Sequence, residues 1–247
     1  MLKRVIVVGA SSGIGAALVR RLAQEGCTVA AVARRQDALD DVCAQANMAA
    51  PQPRAFSVVH DVTDVQGTQA VFDALVARMD GLDLIIYCAG SMPKVGADEY
   101  DIAVDAGVIE VNLIGAMAWL NLAAQRFRVQ GGGCIVGIGS VAGDRGRRGN
   151  PAYAASKAGL HTWLEALRNR LSQHGVRVVT VKPGPVATPM TRELGKLPLL
   201  IEADRAAAGI LAATRGGGGV RYVPLTWWPI MSVIKGIPSV FFRRMDL

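Results

Sequence analysis

Residues 5–8 are a short apolar run, Val5-Ile6-Val7-Val8, that breaks into Gly9-Ala10-Ser11-Ser12-Gly13-Ile14-Gly15 and resumes as an amphipathic stretch over residues 14–24. No other feature constrains the fold as strongly. A strand that passes through a tight glycine turn into a helix opens a βαβ unit, and the turn gathers backbone N–H groups and the positive end of the helix dipole at one point. A pyrophosphate suits such a point. A side-chain carbon there would hold the phosphates away, and Gly13 and Gly15 leave the room.

The alternation continues along the chain. Strands are predicted over 5–8, 28–33, 55–59, 84–88, 134–138, 177–181 and 220–223, and helices over 14–24, 36–46, 65–79, 100–128, 151–174 and 202–213. Leu84-Ile85-Ile86-Tyr87-Cys88 has no polar break and suits a strand covered on both faces. About seven strands with helices between them predict a Rossmann-type α/β fold, a doubly wound parallel sheet in a single domain. No long polar or proline-rich tract divides the 247 residues, which suffice for one such unit. Residues 1–223 are expected to form the dinucleotide-binding and catalytic domain, with 224–247 as an apolar C-terminal extension.

The formal charge of +7 would suit a polyanionic partner if the basic residues were clustered. They are scattered through helical stretches, which argues against nucleic acid. Part of the charge can serve a phosphorylated cofactor. Cys27, Cys43, Cys88 and Cys134 include no Cys-x-x-Cys pair and no nearby His at ligand spacing, so no metal site is expected and the thiols read as buried. Met1-Leu2-Lys3-Arg4-Val5 runs into the first strand without a signal-peptide pattern, which points to a cytoplasmic protein.

Two further places carry chemistry. At the end of the second strand, where a dinucleotide fold meets the adenosine ribose, stand Ala33, Arg34 and Arg35. A carboxylate there would repel a 2′-phosphate, whereas Arg34, and after it Arg35, can fork onto phosphate oxygens; the cofactor expected is NADP(H). Tyr153 and Lys157 lie four apart in a predicted helix and so face one cleft. An ammonium beside a phenol favours the phenolate, readying Tyr153 to exchange a proton with a substrate oxygen. Ser140 follows an apolar strand and should sit at the carboxyl end of the sheet, placed to hold a carbonyl. Asn112 is a polar residue inside a predicted helix, where its side chain can anchor a water that connects Lys157 to solvent.

Together these residues resemble the short-chain dehydrogenase/reductase family over about residues 2–223. The spacing Gly9-x-x-x-Gly13-x-Gly15 is similar to that family's phosphate turn, with Ser11, Ser12 and Ile14 inside it, and Asn112, Ser140, Tyr153 and Lys157 match its catalytic set. The resemblance implies that Asp61 and Val62 meet the adenine, that Cys88, Ala89 and Gly90 form the turn after the fourth strand, and that Pro183, Gly184, Val186 and Thr188 belong to the segment meeting the nicotinamide carboxamide. Three departures stand out: Val8 where the family has Thr, Ala33 where it has Asp, and Tyr87 with Cys88 where it has two Asn. The implied activity is NADP(H)-dependent hydride transfer between nicotinamide and a carbonyl or alcohol substrate. An NAD-dependent alcohol dehydrogenase and a non-catalytic NADP-binding regulator are the alternatives.

Residues 189–202 should form a mobile cover, made apolar by Met190, Leu194, Leu197, Leu199 and Leu200, and suggest a hydrophobic or lipid-like substrate. Arg145, Arg147 and Arg148 read as a solvated loop that could meet an acidic group at the cleft mouth. The extension, with Trp227, Trp228, Ile230, Ile234, Ile237, Phe241 and Phe242, is too short and too broken by proline to span a bilayer. Gly236 and Pro238 divide it into two short pieces. It has three candidate positions: against another subunit of a homo-oligomer (dimer or tetramer), at a membrane surface, or folded back to line the pocket.

Overall fold

The structure, a computed structural model, describes residues 3–96 and 98–245. Its first half is regular: β1 (Arg4–Val8), α1 (Gly13–Gln24), β2 (Thr28–Ala33), α2 (Gln36–Ala49), β3 (Ala55–Val59), α3 (Thr68–Arg78) and β4 (Leu84–Tyr87). Next come α4 (Ile102–Ile109), a π turn (Glu110–Ile114), α5 (Gly115–Gln130), β5 (Gly133–Ile138) and α6 (Pro151–Leu171). The remainder is β6 (Val176–Pro183), the two-residue strands β7 (Val186–Ala187) and β8 (Ile201–Glu202), α7 (Ala203–Thr214), β9 (Gly219–Val223), α8 (Trp227–Gly236) and α9 (Ser239–Phe242).

Seven strands form one parallel sheet in the order β3-β2-β1-β4-β5-β6-β9. Alternation along each strand divides the core into two layers. Val5 and Val7 of β1 point into the layer formed with α1, α2 and α7, while Ile6 and Val8 point into the one formed with α3, α5 and α6. Both faces are covered, which is why the strands read as unbroken apolar runs. The order reverses between β1 and β4. Open α/β sheets bind ligands beyond the carboxyl ends of their strands at such a reversal.

The predicted helix over 100–128 is interrupted. Asp101 caps α4 by accepting from the Ala103 and Val104 amides at 2.8 and 3.4 Å, and directly after α4 the five-residue π turn carries Asn112 into the interior, where it is fully buried. Tyr87 donates its hydroxyl to the Val111 carbonyl at 2.6 Å. That bond braces β4 against the π turn with a side chain different from the family's asparagines. By length and composition, residues Ile102–Gln130 could cross a membrane; here α5 lays Trp119, Leu120, Ala123 and Phe127 on the sheet with no exposed surface.

The extension folds as two helices separated at Ile237 and Pro238. Trp227 and Met231, one turn apart, are buried with Val141 and Tyr222, and a Cβ on Gly184 would collide with the Trp227 indole. Leu225, Trp228, Val233 and Phe241 face outward. The arginines expected to be solvated instead clasp this extension. Arg145 donates to the Lys235 carbonyl at 3.0 Å and the Ser239 hydroxyl at 3.3 Å and stacks 4.5 Å over the Phe242 ring, and Arg148 donates to the Arg243 carbonyl at 2.7 Å. Guanidinium forks satisfy helix-end carbonyls that would otherwise face water.

Trp119 is the largest fully buried side chain, meeting Phe72 and His60 edge-on at 6.3 and 5.5 Å. Trp119→Ala should cost about 3–5 kcal/mol by leaving a cavity that this close-packed layer fills poorly. Urea unfolding measures it, and a loss under about 1 kcal/mol would contradict the packing described.

Candidate active site

The two turns at the reversal stand back to back. Gly9 follows β1 with φ 88°, and a Cβ there would run into the Ala89 backbone after β4. Gly9 and Ala10 both donate to the Val32 carbonyl, at 2.7 and 3.1 Å, which fixes the turn to β2. Ser12 is the N-cap of α1 in extended conformation, but its hydroxyl makes no capping bond, and the first turn holds no acidic residue. The leading N–H groups of a helix lack intrahelical acceptors. Here they are left to an external anion, so the residues present fit a nucleotide pyrophosphate.

A cleft of about 380 Å³ opens over these turns. Of the residues singled out from sequence, Gly9, Ser11, Ser12, Gly13, Ile14, Gly15, Arg34, Arg35, Val62, Cys88, Ala89, Gly90, Ser140, Tyr153, Lys157, Pro183, Gly184, Val186 and Thr188 line it. Asp61 and Asn112 do not. Asp61 stands 3.8 Å from the Arg34 guanidinium. Arg35 is the arginine tied to the phosphate turn, donating to the Ser11 hydroxyl at 3.2 Å, although the sequence order favoured Arg34. Sequence reasoning passed over His60, Val111, Ile138 and Gly139, which also line the cleft, as do Pro189, Met190 and Thr191 of the segment expected to cover the substrate. The first four each stand within two residues of a named motif residue, and that adjacency was the signal that could have found them.

Tyr153 is set by its helix start. Asn150, in the left-handed region at φ 47°, accepts from the Tyr153 amide at 3.0 Å and donates to the Pro93 carbonyl at 2.7 Å, with Pro151 opening α6. This cap puts Tyr153 in the first turn, at the cleft wall. Lys157, one turn on, is 4% exposed, lies 5.7 Å from the Tyr153 ring centre and donates to the Ile138 carbonyl at 2.9 Å. Burial pushes its ammonium down to about 8. Burial also holds the Tyr153 phenol above its ordinary value, against the pull of a Ser140 hydrogen bond. The phenolate expected from the lysine's proximity is therefore not favoured by the protein's own groups: at this site desolvation outweighs attraction.

Asn112 differs from its expected part. Its amide donates to the Ser91 carbonyl at 3.0 Å and the Ser156 hydroxyl at 2.9 Å and accepts from the Ser91 amide at 2.7 Å. Both amide hydrogens are engaged, so the side chain is a brace between the segment after β4 and α6. Burial favours the protonated thiols, pushing Cys88 up to about 12 and Cys43 and Cys134 up to about 11. Among the described residues there is no cluster of His, Cys, Asp or Glu able to hold a metal ion.

Residues 3–197 match the family model for short chain dehydrogenase. The chain belongs to the short-chain dehydrogenase family. As a short-chain dehydrogenase it is an oxidoreductase. It is 31% identical over 234 residues to an uncharacterized oxidoreductase of Mycobacterium tuberculosis, covering 94% of this chain and 92% of that one. Another uncharacterized oxidoreductase, from Myxococcus xanthus, is 37% identical over 186 residues, 75% of this chain and 73% of the relative. Among solved structures it is similar to a short chain dehydrogenase from Burkholderia cenocepacia in complex with NADP (TM-score 0.84, 26% identity, 99% and 98% coverage). A variant of actinorhodin polyketide ketoreductase with NADPH is likewise similar (TM-score 0.81, 26% identity, 90% and 95% coverage).

Lys157 gives this site a pH signature. Unfolded, it keeps its proton up to about 10.5; buried, it loses it above about 8. Between those values unfolding takes up a proton, so this residue's contribution to stability rises with pH across the window. Wild type should gain in unfolding free energy relative to Lys157→Met as pH is raised through that window. Urea titrations of both proteins at several pH values check it, and a constant gap would refute the buried ammonium.

Proposed function

We propose that this short-chain dehydrogenase is an NADP(H)-dependent ketone reductase acting on a hydrophobic or lipid-like carbonyl substrate, with Ser140, Tyr153 and Lys157 as its catalytic residues. One observation carries the reading: these three side chains line the same cleft as the glycine turn and the open N-terminus of α1. When bound, a nicotinamide nucleotide supplies the hydride. The chain supplies position and a proton.

Ser11, Ser12 and the amides at the start of α1 would hold the pyrophosphate, and the segment from Pro183 to Thr188 would border the nicotinamide. Ser140 would hold the substrate oxygen and Tyr153 give it a proton. A phenol raised by burial keeps that proton at neutral pH, which suits reduction. Lys157, with its Nζ anchored to the Ile138 carbonyl, sets the electrostatics beside the phenol. Met190 brings an apolar side chain from the 189–202 segment to the cleft, in support of an apolar substrate; Leu194, Leu199 and Leu200 of the same segment are exposed and do not line it.

Turnover is read from nicotinamide absorbance with a panel of cyclohexanone, acetophenone and long-chain methyl ketones and their alcohols. Tyr153→Phe should lower it roughly 10²-fold to 10⁴-fold while nucleotide binding persists. Near-normal turnover in that variant would defeat the mechanism, and nucleotide binding without turnover of any panel compound would favour the regulator.

Cofactor choice rests on Ala33 with Arg34 and Arg35 at the ribose end. NADP should bind more tightly than NAD, and Arg34→Ala and Arg35→Ala should each erode the preference by about 1.5–3 kcal/mol, roughly tenfold to a hundredfold. Arg35→Ala should have the larger effect because it is already fixed beside Ser11. Equal affinity of the unmodified protein for both nucleotides, measured by calorimetry, would favour an NAD-dependent alcohol dehydrogenase.

A further inference from the structure

Behind Ser140, on the side away from the cleft, lies a buried polar cluster drawn from four elements. Ser140 caps a short 3₁₀ turn, Val141–Asp144, by accepting from the Ala142 amide at 3.1 Å. The turn ends on Asp144, whose side chain is 3% exposed. Its carboxylate accepts from Lys182 at the end of β6 and from the Tyr222 hydroxyl of β9, the latter at 2.7 Å. Lys182 lies over the Tyr222 ring, 5.6 Å from its centre. None of Asp144, Lys182, His161 and Tyr222 lines the cleft.

His161 of α6 fills the hollow of the same turn. A Cβ on Gly139 would collide with its imidazole, and one on Gly143 would lie 2.7 Å from its Cε1. The Ser140 amide donates to its Nε2 at 3.4 Å, and its Nδ1 faces the Asp144 carboxylate at 3.7 Å. Burial first, then the charges of Lys182 and Lys157, hold the imidazole down to about 3 against the pull of Asp144, so the ring is neutral at physiological pH. With Nε2 accepting, the single ring hydrogen resides on Nδ1, toward Asp144.

We infer that Asp144 is a positioning residue for Ser140, acting through His161 on one side and anchored by Lys182 and Tyr222 on the other. The Ser140 hydroxyl is held by a turn whose amide rests on a ring, and the carboxylate 3.7 Å from Nδ1 favours the tautomer that carries its hydrogen there. Without Asp144 the ring could carry its hydrogen on Nε2 and lose the Ser140 amide as a donor. The buried ammonium of Lys182 would also be unpaired, a costly condition for the fold. The inference rests on Ser140 acting on substrate, and its tests separate it from that reading.

A double variant, Asp144→Asn with Lys182→Met, removes both charges together and so limits the folding penalty. Histidine ¹⁵N spectra of the wild type should show His161 protonated on Nδ1, and those of the double variant a mixture of tautomers. Wild-type His161 protonated on Nε2, or an unchanged tautomer in the variant, would overturn the inference whatever the activity. With the panel ketone turned over fastest, the double variant should lose at least about tenfold in kcat with nucleotide affinity unchanged. In a Ser140→Ala background the same change should cost little more, because residues acting through one group are not additive. Full kcat in the stably folded double variant, or an undiminished loss without the Ser140 hydroxyl, would overturn it. Normal turnover in Ser140→Ala or Tyr153→Phe would instead overturn the catalytic reading, leaving the tautomer test to decide the cluster.

Discussion

Everything at the cleft is referred to the contact between the turns after β1 and β4. Gly9 lies so close to Ala89 that no side-chain carbon fits between them, and the two strands are paired directly in the sheet. This contact brings the start of α1, with its unanswered N–H groups, beside the segment from Cys88 to Ser91. That segment in turn is bonded to Asn112, and Asn112 to Ser156 of α6. The glycine turn and the wall of the cleft that carries Tyr153 and Lys157 are thereby joined through one chain of contacts.

The buried charged groups and hydroxyls around the cleft are tolerated because they have specific partners. Lys157 finds the Ile138 carbonyl, Tyr87 the Val111 carbonyl and Asp144 the pair Lys182 and Tyr222. Buried charge of this kind contributes little net stability, since desolvation offsets much of the attraction. Its effect is geometric. Removing one partner is penalised heavily, so the arrangement admits few alternatives.

The fold was legible because strand and helix periods differ and the glycine turn marks where they meet. β2 and β3 fall at the residues their apolar runs indicate, and the division of the extension into two helices follows from Gly236 and Pro238. The π turn was not legible: one additional residue in a helical turn leaves no trace in an apolar pattern, and Asn112 inside it is the only hint. The cleft residues fixed by local motifs could be read from spacing. Those depending on distant contacts could not. Arg145 and Arg148 have the composition of a solvated loop, and only the position of α8 and α9 gives them carbonyls to bind. Asp144, His161 and Lys182 are likewise far apart in sequence and match no common spacing. The phenol of Tyr153 shows a different limit, because adjacency to Lys157 can be read from the sequence but the degree of burial that overrides it cannot.

The seating of the last helices has a consequence for synthesis. Trp227 rests on Gly184, Tyr222 holds Asp144, and Arg145 and Arg148 grip α8 and α9, so the turn bearing Ser140 receives its supports from residues made well after the turn that follows β1. A nascent chain emerging from the ribosome can pair β1 with β2 and β4 and close the phosphate turn while β9 is still inside the exit tunnel. At that stage the turn after β1 would be closed while the Ser140 turn still lacked these supports, so the two sides of the cleft are completed at different times.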